Sequence, residues 1–215
     1  SEILTKIGRY DEALEHYASA LFEWLGKGPG YVSETEPTVE IVRIYLFGAE
    51  LYYRQGKYED AISWCQKSLD LASQIKTPEG QQVQGRAFSL LGEICMHSYN
   101  LPYAAQFFQK SLETYERLGD LTGQANAYSN LGLADYYLGN WSAAIEAYRQ
   151  ALALKHRIGD VEGAGQTNAH LALIHIARGE WEQAHSLLEQ GLAAQPGTMR
   201  GEIHISNILA YLHIH

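Results

Sequence analysis

The sequence predicts an all-α protein, a solenoid of stacked helix–turn–helix repeats, and three observations carry that prediction. Alanines recur at 13, 61, 104, 144 and 184, spaced by 48, 43, 40 and 40 residues, and self-similarity at such a period marks a stack of like units. Before each alanine stands a turn signal: Gly8-x-Tyr10, Gly56-x-Tyr58, Tyr99-x-Leu101, Gly139-x-Trp141 and Gly179-x-Trp181. Eight residues after each comes a leucine (Leu21, Leu69, Leu112, Leu152, Leu192), and small residues recur seven before the turn at Ala49, Gly92, Gly132 and Ala172. Both arms of each unit space their apolar residues by three, four and seven, the spacing of one buried helical stripe.

Taken in order, residues 1–25 read as the tail of a first helix and a complete second helix, with Ala13, Tyr17, Ala20 and Leu21 on one face. Residues 26–38 read as an inserted loop, dense in glycine and proline, which accounts for the longest spacing. Its Gly26-Lys27 pair does not make a phosphate loop, because Leu21 and Gly28 stand where glycine and a hydroxyl residue would be needed. The spacing predicts helices over 39–55 and 58–75. Thr77-Pro78-Glu79 reads as cap, first-turn proline and first-turn acid, opening a helix to His97. Asn100-Leu101-Pro102 replaces the usual turn, proline being tolerated at a helix start.

The clearest unit spans 118–152. Asp120 is expected to cap its first helix by accepting backbone N–H bonds, with Tyr128, Leu131 and Leu138 on the apolar face and Gly132 and Ala134 between them. Glycine costs about 1 kcal/mol relative to alanine inside a helix, so Gly132 predicts the close approach of another backbone. The helix is expected to stop near Gly139, and Trp141 to open a partner whose stripe is Ala144, Tyr148, Ala151 and Leu152. Helices over 161–178 and 180–194 follow, Gln195-Pro196-Gly197 closes that repeat, and a last helix starts near Met199. The chain begins just before a turn and closes on a helix with no partner. Residues 1–215 are therefore expected to be a single array of about five repeats, the first and last incomplete, cut from a longer protein.

At the leucine-small, glycine-x-aromatic and alanine positions the chain resembles the tetratricopeptide repeat family, in its longer variety of about 40 residues. The phrases Arg117-Leu118-Gly119-Asp120, Arg157-Ile158-Gly159-Asp160 and Ser129-Asn130-Leu131-Gly132 are similar to repeats of Pins-type spindle adaptors, bacterial STAND-type signalling ATPases and proteins fused to CHAT protease-like domains. The resemblance implies a right-handed superhelical solenoid whose first helices line a concave groove. It places Arg43, Glu50, Tyr53 and Arg54 on that groove from the second repeat, and Arg86, Ser89, Glu93, Met96 and His97 from the third. From the fourth come Asn126, Ser129, Asn130, Leu133, Tyr136 and Tyr137, and from the fifth Gln166, His170, Leu173 and Ile176. The first half of this list is charged and the second largely apolar, so a partner polar at one end and apolar at the other would fit, unless the apolar half covers a neighbouring domain. Arg43 and Arg86 share one groove position and are expected to favour an acidic segment, with Glu50 and Glu93 as competing neutralisers. Pins-type grooves carry asparagine just after Leu-Gly, where this chain has Glu50, Glu93, Leu133 and Leu173, so that ligand preference is not carried over. Asp135 stands where an aromatic is common, and the sequence offers no account of it.

Composition narrows the function. The 215 residues are 46% hydrophobic and 19% charged with a net charge of −9, and Lys and Arg are scattered, which argues against direct nucleic-acid binding. No run of 18 apolar residues suggests a membrane span, and no charged leader with an apolar core precedes the first repeat. A cytoplasmic location is expected, with Cys65 and Cys95 as buried free thiols. The nine histidines contain no His-Glu-x-x-His, and His170 and His175 point to different helix faces. His213 and His215 at the chain end could chelate only adventitiously, so no metal, cofactor or catalytic residue is assigned. The reading is a non-catalytic protein–protein interaction scaffold that binds a peptide or extended partner segment in its groove. The alternative is an effector-sensing or autoinhibitory region of a larger bacterial STAND-type ATPase or CHAT protease-like protein, its partners being other domains of the same chain. Self-association is expected through the truncated ends, where Ile203, Ile205, Ile208, Leu209, Leu212 and Ile214 lack a covering helix.

Overall fold

A computed structural model describes residues 37–194 of the chain. The expected second helix of 1–25, nearly all of the 26–38 loop, the final helix from Met199 and the apolar end that was to drive self-association lie outside the described residues. Those described are helical, and they belong to two compact units, Ser1–Asn100 and Leu101–His215.

In the first unit, α1 (Val39–Arg54), α2 (Tyr58–Ala72) and α3 (Pro78–His97) follow the predicted order. α1 and α2 form a hairpin through Gly56, whose φ of 75° is the left-handed conformation that closes a helix, and α3 packs on both. Thr77 caps α3 by accepting from the Gly80 N–H at 3.3 Å, with Pro78 in the first turn. The core of the unit holds Ile41, Val42, Leu46, Ala49, Leu51, Ala61, Cys65 and Ala72. Ser68 is fully buried and donates to the Val42 carbonyl at 3.0 Å, so its hydroxyl carries no desolvation debt. Trp64 fits between Tyr45 and Tyr52, with ring centroids 5.4 and 5.5 Å away, and its ring lies directly over Gly48.

In the second unit, α4 (Leu101–Leu118), α5 (Leu121–Leu138), α6 (Trp141–Ile158), α7 (Val161–Ala177) and α8 (Trp181–Ala194) pack each against the next, and α5 also touches α7. Asp120 and Asp160 cap α5 and α7, accepting from the Gly123 and Gly163 N–H groups at 3.0 and 2.9 Å. The buried face of α5 is made of small residues, Gly123, Ala125, Ala127, Gly132 and Ala134. Leu138, expected on the apolar face, is 36% exposed at the last position of the helix. What approaches Gly132 is the ring of the fully buried Tyr148 on α6, not a backbone. Tyr148 sits in a cluster with Ala144, Ile145, Leu171 and Ile174, and Leu152 borders it only partly buried.

Lys155 is buried on α6, and its ammonium donates to the Gly163 carbonyl at 3.2 Å and to Thr167 Oγ1 at 3.0 Å. Burial lowers its pKa and the nearby Asp160 charge opposes the shift. Three of the turns, those at Gly56, Gly139 and Gly179, also carry a side-chain clip between the residue three after the small position and the one five further on. Lys57 Nζ lies 5.9 Å over the Tyr52 ring, Asn140 Nδ2 donates to Asp135 Oδ1 at 3.2 Å, and His175 Nδ1 meets Glu180 Oε2. Asp135 is thus held by a partner across its own turn.

Candidate interaction faces

On the first unit, α1 and α3 bring Glu50, Arg54, Arg86, Glu93 and His97 into one electrostatic cluster. Arg86 Nε donates to Glu50 Oε1 at 2.9 Å, the two side chains being half and one-quarter exposed. The neutraliser of Arg86 is therefore the glutamate of the preceding repeat. Burial pushes the Glu93 carboxyl above its ordinary value; the charge of Arg86 opposes this, Glu50 adds to it, and His97 and Arg54 oppose it more weakly. His97 packs edge-on against Tyr53 at 5.4 Å and stacks on Tyr58 at 6.0 Å. Burial, and after it the Glu93 charge, pushes the Tyr53 phenol up to about 12. Cys65 beneath is likewise raised to about 12 by burial, with Glu50 and Glu93 adding to it, so it is an inert thiol rather than a nucleophile. Cys65 and Cys95 are both free, and Cys95 is only partly buried. Arg43 is exposed beside two acidic first turns. A backbone N–H is the main cause that holds Glu40 and Glu79 there below the usual carboxylate range, with the Arg43 charge adding a little to each.

The second unit presents a different surface on α5 and α7. Asn126 and Tyr137 are exposed, while Asn130, Leu133, Leu173 and Ile176 are half-buried. Tyr137 is 59% exposed and held edge-on by Tyr136 at 5.3 Å. His170 stacks on Tyr148 at 5.6 Å, and burial raises the phenol of Tyr148 further, out of any useful range. Ile176 leans on the buried Ala169, Ala172, Ala184 and Leu188, so part of its apolar surface already belongs to the α7–α8 core. Among the described residues no group of three His, Cys, Asp or Glu side chains could hold a metal ion, and no helix is long and apolar enough to cross a membrane.

Family models described as tetratricopeptide repeat match residues 4–74, 83–157 and 169–200. The chain belongs to the tetratricopeptide repeat family. Its fold is the all-α helical solenoid class. No curated protein matches it significantly. Among solved structures it is similar to BtubC from P. vanneervenii, at 21% identity and a TM-score of 0.76, over 90% of this chain and 76% of that one. It is also similar to a Rap protein complexed with Competence and Sporulation Factor, at 18% identity and a TM-score of 0.72, over 98% of this chain and 54% of that one. A third is a Signal Transduction ATPase with Numerous Domains from Pyrococcus horikoshii, a protein with a tetratricopeptide repeat sensor. There the identity is 18% and the TM-score 0.73, over 97% of this chain and 29% of that one. The chain thus spans about half of the Rap protein and under a third of the ATPase.

Two features of this tetratricopeptide chain escaped the sequence reading. The first is the one-residue offset in the second repeat. Trp64 takes the ring position and Gly48 the close-contact position, while Cys65 and Ala49 are simply buried. The adjacent pairs Gly48-Ala49 and Trp64-Cys65 were the visible signal. The second is Lys155, which holds the register that Tyr115 holds one repeat earlier. Each lies over the first turn of the following helix, Tyr115 on Gly123 and Lys155 on Gly163.

Proposed function

We propose that this chain is a non-catalytic protein-interaction module whose first-helix faces hold an extended segment of a partner protein. The observation that carries the reading is the exposure of functional groups on α1, α3, α5 and α7. Their turn and core positions are filled by packing, while Arg54, His97, Asn126 and Tyr137 remain open to a partner. A binding surface needs such open groups on rigid elements, and nothing in the reading calls for a covalent step. The test is a random peptide array probed with the folded chain, followed by amide exchange on the bound complex. Protection should appear on α1, α3, α5 and α7. Protection confined to α2, α4, α6 and α8 would refute the assignment.

The likeness to an ATPase with a tetratricopeptide repeat sensor supports a second reading, in which the chain senses for a larger signalling protein. Adding this chain in trans to the remaining domains of its parent should then change their ATP hydrolysis. An unchanged rate would remove that reading and leave the first.

A further inference from the structure

Resting on that reading, we infer that the α5–α7 face takes a partner segment that is uncharged over the stretch it buries and presents a large aliphatic or aromatic side chain. The argument starts from charge. Across α5 and α7 the ionisable residues, tyrosines aside, are Asp135, Glu162, His170 and His175. Each has a partner, Asp135 with Asn140, Glu162 with Gln166, His170 on the Tyr148 ring and His175 with Glu180; the two carboxylates keep their charge, but they stand near the end of α5 and in the first turn of α7. The remaining groups on this face are the neutral Asn126 and Asn130, one helical turn apart, and the apolar Leu133, Tyr137 and Leu173. A charged side chain buried among Asn126, Asn130, Leu133 and Leu173 would lose its hydration with no counter-charge among those residues to replace it. Neutral amides can satisfy main-chain N–H and C=O groups, and the leucines can cover an apolar side chain. Tyr137, in edge-on contact with Tyr136, offers a large amphipathic contact area. In the first unit, by contrast, Arg86 is bound to Glu50 and sits in the field of Glu93, so its charge is offset within the chain before any partner arrives.

The probe is a positional-scanning array of peptides capped at both ends, so that their termini carry no charge. Binding should rise with Leu, Ile, Met or Phe at the anchoring position and fall with Asp, Glu, Lys or Arg. The Kd of the best peptide should change less than about twofold between low and roughly 0.5 M salt, since no charge pair is made. Leu173→Asp should weaken it about tenfold or more. Tyr137→Ala, at a position 59% exposed, should weaken it several-fold, and Arg86→Ala should leave it within about twofold. Selection of acidic or basic peptides, a steep salt dependence, or loss of binding in Arg86→Ala would overturn the inference while leaving the interaction module intact. Failure of every peptide to bind the folded chain would remove the module itself, and the inference with it.

Discussion

Replacing Gly132 by alanine sets two effects of known size against each other. In an isolated helix the change is favourable by about 1 kcal/mol, through backbone entropy alone. Here the new methyl carbon would stand 2.8 Å from Cδ1 and Cε1 of Tyr148 and 2.9 Å from its Cζ, so the ring must retreat by about half an ångström or more to restore ordinary contact. The ring cannot retreat freely, because Ala144, Ile145, Leu171 and Ile174 pack around Tyr148. Overpacking of this kind costs about 1–3 kcal/mol, which exceeds the propensity gain over most of that range. We expect Gly132→Ala to destabilise by about 1 kcal/mol, and Gly132→Leu by several. Leu133→Ala should cost less than Gly132→Leu, since that side chain is half-exposed. The decisive measurement is a double-mutant cycle by urea unfolding with Tyr148→Leu, which removes the ring atoms. In that background Gly132→Ala should become neutral or stabilising, giving a coupling of about 1–2 kcal/mol. Additivity within about 0.5 kcal/mol would refute the claim that ring contact, rather than backbone geometry, requires glycine.

Three further outcomes follow from the same packing. Because burial raises the Glu93 carboxyl above its ordinary 4.5, the folded chain holds that proton more tightly than the unfolded one; the stabilisation is full below 4.5 and is lost as pH rises through the raised value. Glu93→Gln should therefore raise Tm at pH 8, with the gain shrinking toward pH 4.5, and a pH-independent difference in thermal melts would contradict it. Tyr99 is 88% exposed and held at a φ of 54° where other hairpin turns use glycine, so Tyr99→Gly should stabilise by about 1 kcal/mol in chemical denaturation. Asp120→Ala should cost about 1 kcal/mol through loss of the cap. Asp160→Ala should cost more in the same assay, because Asp160 also attracts the buried Lys155, and equal losses would remove that electrostatic role.

The helices and their order were legible because the repeat states the same pattern several times, and the ends were legible where a cap residue stood alone. Thr77 and Asp120 were read as caps from their short oxygen-bearing side chains. The glycine three residues after each cap was not, although Thr77-x-x-Gly80, Asp120-x-x-Gly123 and Asp160-x-x-Gly163 repeat it. A Cβ there would strike Ile75 in the connecting turn, Tyr115 of the preceding helix and the capping carboxylate of Asp160 itself, and of the three only the Tyr115 contact comes from another helix and is invisible in the local pattern. Which residues share a first-helix face followed from periodicity. Which of them pair did not: the bond from Arg86 to Glu50 spans 36 residues and depends on how far α3 is shifted along α1. Ile176 shows a similar limit, since its share in the α7–α8 core depends on the rotation of α7 about its own axis.

The clips at the hairpin turns bear on how a chain of near-copies finds its own partners. Similar helices can close hairpins with the wrong sibling, a recognised failure of repeat proteins. In the second unit the clips differ in chemistry, Asp135 with Asn140 and His175 with Glu180. A hairpin closed between α5 and α8 would set the carboxylates of Asp135 and Glu180 against each other, and one between α7 and α6 would trade the acid facing His175 for an amide. Each turn therefore carries a private address, and the divergence of residues that look like decay of the repeat serves to keep neighbouring copies from being mistaken for one another.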